Sequence, residues 1–206
     1  MNKIVKIVPT EDCFRISWII HLKCNYDCMY CPPERHTDQN DMLSLEQLQS
    51  HWTQIYEKTQ HKNLPYKLNF SGGEVTVNRN LLPFIQWLDE NYRQHIKFVV
   101  ISTNGSASQN YYLSLFKHVH MIAFSTHTEQ IDNDKFWPTA VACAEYARNN
   151  NKSFMVNIMD EFWAEEHTQQ YEKFCQDNQI DYARKKIDYK IQTRTVPIFR
   201  NELTHS

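Results

Sequence analysis

The amino-acid sequence predicts an α/β fold, a partial (β/α)6 TIM-like barrel left open on one side. Two observations carry this. Apolar runs of four to seven residues alternate with longer stretches of helical periodicity, and strand–helix alternation implies parallel strands joined by right-handed crossovers. The chain has 206 residues and six such units, short of the roughly 250 residues of a closed eight-unit barrel.

Residues 14–21 (FRISWIIH) form the first predicted strand. Ser44 and Gln47 then have capping-box spacing, and Leu45, Leu48, Trp52, Ile55 and Tyr56 give the helix behind them one apolar face. Residues 66–70 make the second strand, followed by a helix with Leu81, Leu82, Ile85, Leu88 and Tyr92 on one side. The third strand is 96–102, with a helix at 111–117, and the fourth is 119–125, with a helix from about 134 to 149. The fifth strand, 153–159, leads to a helix near 164–177. Residues 182–187 make a sixth strand despite the charges of Arg184, Lys185 and Lys186. Residues 188–206 show no period and read as a tail or partial cover, with Val196, Ile198 and Phe199 as apolar contacts. No repeat or linker breaks the pattern, so residues 1–206 read as a single domain with its core at about 14–187.

Composition excludes several classes. The chain is 41% apolar and 22% charged, ordinary for a globular protein, and its net charge of −2 argues against nucleic-acid binding by bulk charge. The longest apolar runs, such as residues 98–101, are too short to span a bilayer, and the N-terminal MNKIVKIVPTED lacks a signal-peptide h-region. These features predict a cytoplasmic protein without a membrane partner.

Of the six cysteines, Cys24, Cys28 and Cys31 fall within eight residues directly after the first strand, which reads as a metal site and not a disulfide framework. Cys13, Cys143 and Cys175 read as small core residues. Roughly 0.005 CxxxCxxC spacings are expected by chance at this cysteine content, so coincidence is excluded. Two chemistries remain: an iron–sulfur cluster on soft thiolates, or structural zinc with His21 or His36 as fourth ligand. Only three glycines occur, Gly72, Gly73 and Gly105, and each marks a place that rejects a side chain.

Cys24-Asn-Tyr-Asp-Cys28-Met-Tyr-Cys31 resembles the signature of the radical S-adenosylmethionine (SAM) superfamily, whose aromatic residue before the last cysteine is Tyr30 here. The longer string from Cys24 to His36 is similar to a bacterial subgroup associated with polysaccharide gene clusters. Ser71-Gly72-Gly73-Glu74 resembles the family's GGE motif, and Ser102-Thr103-Asn104-Gly105 its TNG segment. The resemblance implies a radical SAM core with a [4Fe-4S] cluster on Cys24, Cys28 and Cys31. It implies SAM contacts from Tyr30, Gly72, Gly73, Glu74, Ser102, Asn104, Ser125 and Asn157. The activity implied is reductive cleavage of S-adenosyl-L-methionine to a 5′-deoxyadenosyl radical that abstracts hydrogen from a substrate, with flavodoxin or ferredoxin as reductant. No cysteine follows Cys175, so no auxiliary cluster is expected. His127 and Asp160 are candidate catalytic residues, and His21, Arg35 and His36 are further substrate-facing candidates. A glycyl-radical activase, a peptide-modifying enzyme, and a non-catalytic iron–sulfur or zinc protein are the alternatives.

Overall fold

The computed structural model describes residues 12–31, 41–160 and 164–187 in full and residues 3–9 as backbone. One seven-stranded sheet runs in the order β1 (Lys3–Pro9), β2 (Phe14–Ile19), β3 (Tyr66–Ser71), β4 (Ile96–Thr103), β5 (Met121–Thr126), β6 (Ser153–Asp160) and β7 (Asp181–Lys186). Strands β2 to β7 are all parallel, and each pairs with the next in sequence. The six-unit expectation from the sequence therefore holds. The strand missing from it is β1, which pairs antiparallel with β2 and covers that edge of the sheet. Its KIVKIVP run is too short and too interrupted by lysine to declare its pairing in advance.

The five crossovers carry α1 (Leu45–Thr59), α2 (Leu81–Tyr92), α3 (Gln109–Phe116), α4 (Asn133–Asn149) and α5 (Glu165–Asp177). The capping box at the start of α1 forms as its spacing predicts, with Ser44 and Gln47 each accepting from the other's backbone N–H. Leu48, Trp52 and Ile55 of α1 are buried, four and three residues apart, so one helical stripe enters the core.

Every central strand buries alternate residues against the helices. These are Ile16 and Trp18 on β2, Leu68 and Phe70 on β3, Val99 and Ile101 on β4, Ile122 and Phe124 on β5, and Val156 and Ile158 on β6. The core is rich in aromatic rings. Trp18, for example, lies 5.6 Å from both Phe70 and Phe84, the latter edge-on. Cys13, Cys143 and Cys175 are buried, as small core residues should be. Burial pushes the thiols of Cys143 and Cys175 up to about 12.

Strand alternation sends the other residues to the opposite, inward face: Ser17, Asn69, Ser71, Ser102, Ser125, Asn157 and Met159 among them. This face and the loops at the carboxyl ends of the strands build the site. No described helix is long and apolar enough to cross a membrane.

Candidate functional site

A cavity of about 280 Å³ opens at the carboxyl ends of β3 to β6. Cys24, Cys28 and Cys31 line it together with Tyr26, Tyr30, Gly72, Gly73, Ser102, Asn104, Ser125 and His127. Residues from four separate stretches of sequence thus meet in one place. Ser71, Thr103 and Met159 complete the lining. The sequence reading did not select those three or Tyr26. Ser71 and Met159 are marked by their position, the last inward-facing residues of β3 and β6.

The cysteine loop is held from two sides. Asn25 donates through its amide to Ser106 Oγ (3.0 Å), and its carbonyl accepts from Asn104 Nδ2 (3.0 Å). At the far end, Met29 N–H donates to the buried Glu129 carboxylate at 2.7 Å. Glu129 follows β5 and was not singled out from the sequence, since a lone glutamate in a loop carries no local signal. Within the loop, Cys31 N–H donates to Cys28 O at 3.0 Å. Burial raises the Cys24 thiol, and the nearby Glu74 and Cys31 add to this.

Gly72 and Gly73 line the cavity, yet their lack of side chains has a second cause. The chain after β2 runs beside the chain after β3: Gly73 N–H donates to His21 O (3.0 Å) and Glu74 N–H to Lys23 O (2.9 Å). A Cβ at Gly72 would fall on the carbonyl oxygen of His21, and one at Gly73 on those of Leu22 and Lys23. Gly105 has φ +76°, the left-handed region that favours glycine.

Several candidates are placed differently from the expectation. Glu74 is fully buried and does not line the cavity. Its carboxylate accepts from Thr76 N–H (2.9 Å), Thr76 Oγ1 (2.7 Å), Thr103 Oγ1 (2.6 Å) and Asn104 N–H (2.6 Å). It ties the end of β3 to the end of β4. Burial nevertheless pushes its carboxyl above the ordinary range, against the pull of those donors. Asn157 sits beside Ser125 in the ladder but outside the lining. Asp160 also lies outside it and pairs with Arg184 at 3.2 Å, an edge contact that holds β7 to β6. His21 is fully buried beneath the glycines and does not reach the cavity. Arg35, His36, Val196, Ile198 and Phe199 lie outside the described residues.

His127 is the candidate that the fold does bring to the cavity. Its ring stacks on Tyr30 (centroids 5.8 Å apart, planes 16° apart), a hydrogen bond joins its Nδ1 to the Tyr30 hydroxyl, and Tyr26 meets it edge-on. Burial holds its imidazole down to about 4, so the ring is neutral near pH 7.

The donor set fits an iron–sulfur cluster. The thiols of Cys24, Cys28 and Cys31 line one cavity, and soft thiolates are the ligands an iron–sulfur cluster takes, each on a different iron.

No family model matches the chain. Among curated proteins it is 32% identical over 97 residues to an S-adenosylmethionine-dependent nucleotide dehydratase of Selenomonas ruminantium, covering 47% of this chain and 32% of the relative. It is 29% identical over 117 residues to a GTP 3′,8-cyclase of Rhizobium leguminosarum bv. trifolii (strain WSM2304), covering 55% of this chain and 32% of the relative. In sequence over about half of its length, and in fold over most of it, the chain is similar to radical SAM enzymes. It spans about a third of the length of these curated relatives.

Solved radical SAM structures share the fold. The enzyme anSMEcpe with bound AdoMet aligns at TM-score 0.61 and 17% identity, over 82% of this chain and 48% of that one. SuiB of Streptococcus suis, bound to precursor peptide SuiA, aligns at 0.62 and 17%, over 86% and 41%. BtrN in complex with AdoMet and 2-DOIA aligns at 0.52 and 17%, over 68% and 54%. A radical SAM fold accounts for the parallel arc, and the open cavity lies where such folds carry function, at the carboxyl ends of the strands.

Proposed function

We propose that this chain is a radical SAM enzyme core that cleaves S-adenosyl-L-methionine reductively and passes the resulting radical to a substrate. One observation carries the reading: the thiols of Cys24, Cys28 and Cys31 share a cavity with the strand-end residues Gly72, Gly73, Ser102 and Ser125. The three thiolates would hold a [4Fe-4S] cluster, which supplies one electron when reduced by a flavodoxin or ferredoxin.

The protein's own part is placement. The inward-facing hydroxyls of Ser102 and Ser125 offer donors and acceptors to SAM. Tyr30, held by His127, presents an aromatic surface beside Cys31. Hydrogen bonds of Asn25, Asn104, Glu129 and Glu74 hold the loops around the cavity in place.

Anaerobic reconstitution followed by a SAM assay with dithionite tests this. Wild type should take up about four irons per chain and release methionine and 5′-deoxyadenosine. Alanine at Cys24, Cys28 or Cys31 should abolish product, while Cys143→Ala should leave iron content unchanged. A protein that loads zinc and stays colourless, or a full cluster with no SAM cleavage, would overturn the reading.

A further inference from the structure

The inward face of β2 to β6 carries two charged residues, and they are neighbours. Alternation along β2 places Arg15, Ser17 and Ile19 on that face. Along β3 it places Lys67, Asn69 and Ser71 there, and Ser71 lines the cavity. The ladder sets Arg15 directly beside Lys67. The remaining inward positions are Phe98, Val100 and Ser102 on β4, Met121, Ala123 and Ser125 on β5, and Ser153, Met155, Asn157 and Met159 on β6. No carboxylate stands among them.

Among the described residues, Arg15 and Lys67 make no side-chain hydrogen bond or ion pair. Arg15 is exposed and Lys67 half-buried. Like charges side by side on adjacent strands cost stability, and an anion between them removes that cost. The ladder also sets Lys6 opposite Ser17, at the next inward position of β2.

A track of matched chemistry leads from this pair to the cavity. Ser17 and Asn69 are neighbours one step along the strands, and Asn69 Oδ1 accepts from Ser102 Oγ at 3.1 Å. No described residue takes the Asn69 amide donors. On the other side, Val100, Met121 and Met155 are half-buried and apolar. Ser71 lies four steps along β3 from Lys67, a span of about 13 Å.

We propose that this face binds a phosphate-bearing substrate, with its phosphate on Arg15 and Lys67 and its reacting carbon at the cavity about 13 Å away. The inference rests on the enzyme reading above and adds a substrate class, an elongated phosphate ester. Arg15 offers a planar fork of donors for phosphate oxygens, and Lys67 adds a point charge. Ser17 and Asn69 face the polar middle of the molecule, and Val100, Met121 and Met155 face its apolar body.

The test uses the full chain without cluster, so it does not depend on the radical chemistry. Inorganic tripolyphosphate is titrated at low salt and followed by ³¹P NMR. Wild type should bind it, and Arg15→Gln or Lys67→Gln should weaken binding by about tenfold each. Lys185→Gln, an inward cation on β7, should leave it unchanged. Lys67→Arg should retain it. Arg15 and Lys67 lie outside the core, so circular dichroism should show both Gln variants folded. Absent binding, or equal binding in wild type and the folded Arg15→Gln/Lys67→Gln variant, would overturn the proposal. Tripolyphosphate binding by a protein that fails to cleave SAM would sink the enzyme reading and leave the anion site standing.

Discussion

Glu74 shows how a motif residue can serve a site it never touches. Its carboxylate receives four hydrogen bonds from Thr76, Thr103 and Asn104, the last two of which line the cavity. Asn104 in turn reaches Asn25 in the cysteine loop. The glutamate therefore acts on the cysteine loop through one intermediary, Asn104. Replacing it with alanine strands the buried Thr103 hydroxyl and Asn104 N–H, each worth about 1–3 kcal/mol when left unpaired, and the half-buried N–H and hydroxyl of Thr76. We expect Glu74→Ala to lose about 3 kcal/mol or more in urea unfolding, with Glu74→Gln closer to wild type. An alanine variant as stable as wild type would show that the carboxylate does not hold the two strand ends together.

At the scale of elements, the extension of β2 and the Gly72–Gly73 turn after β3 behave as one unit. Their backbones touch so closely that a single methyl group at Gly73 would meet two carbonyl oxygens. From sequence alone these glycines read as room for a ligand. The structure makes them first a condition for packing the strand that leads into the cysteine loop. Gly73→Ala should thus cost about 1–3 kcal/mol of stability through overpacking, a fall in Tm of roughly 2–12 °C. Cluster uptake should drop in step, because the same backbone precedes Cys24. Unchanged Tm together with weakened SAM binding would restore the ligand-only reading.

For the whole molecule, the site is an assembly of loops from distant parts of the chain. Asn25 and Met29 tie the cysteine loop to residues after β4 and β5, so a group bound by the three thiolates links three strand ends. Binding to the folded state alone stabilises by mass action, about 2.7 kcal/mol at a hundredfold excess over Kd. Reconstitution should raise Tm by roughly 5–10 °C, and chelation should reverse it. Cys28→Ala should show no such rise. An equal rise in that variant would place the bound metal elsewhere.

Periodicity and spacing were enough for much of this. The six parallel units follow from apolar runs alternating with helical faces, because burial of one face is a local demand that each segment must meet by its own pattern. The cysteine triad and the glycine pair were legible for a related reason: thiolate ligation and close backbone approach each admit few residue types. β1 was not, since an edge strand need not alternate and its pairing is decided by its neighbour. Nor were Glu129, Tyr26 and Met159, or the withdrawal of Glu74, Asn157 and Asp160 from the cavity lining. Those depend on which residues, a hundred positions apart in the case of Met29 and Glu129, the sheet brings together. Hydrogen-bond partners at such separation leave no trace in a single sequence, so only the tertiary structure decides which polar residues face the ligand and which hold the frame.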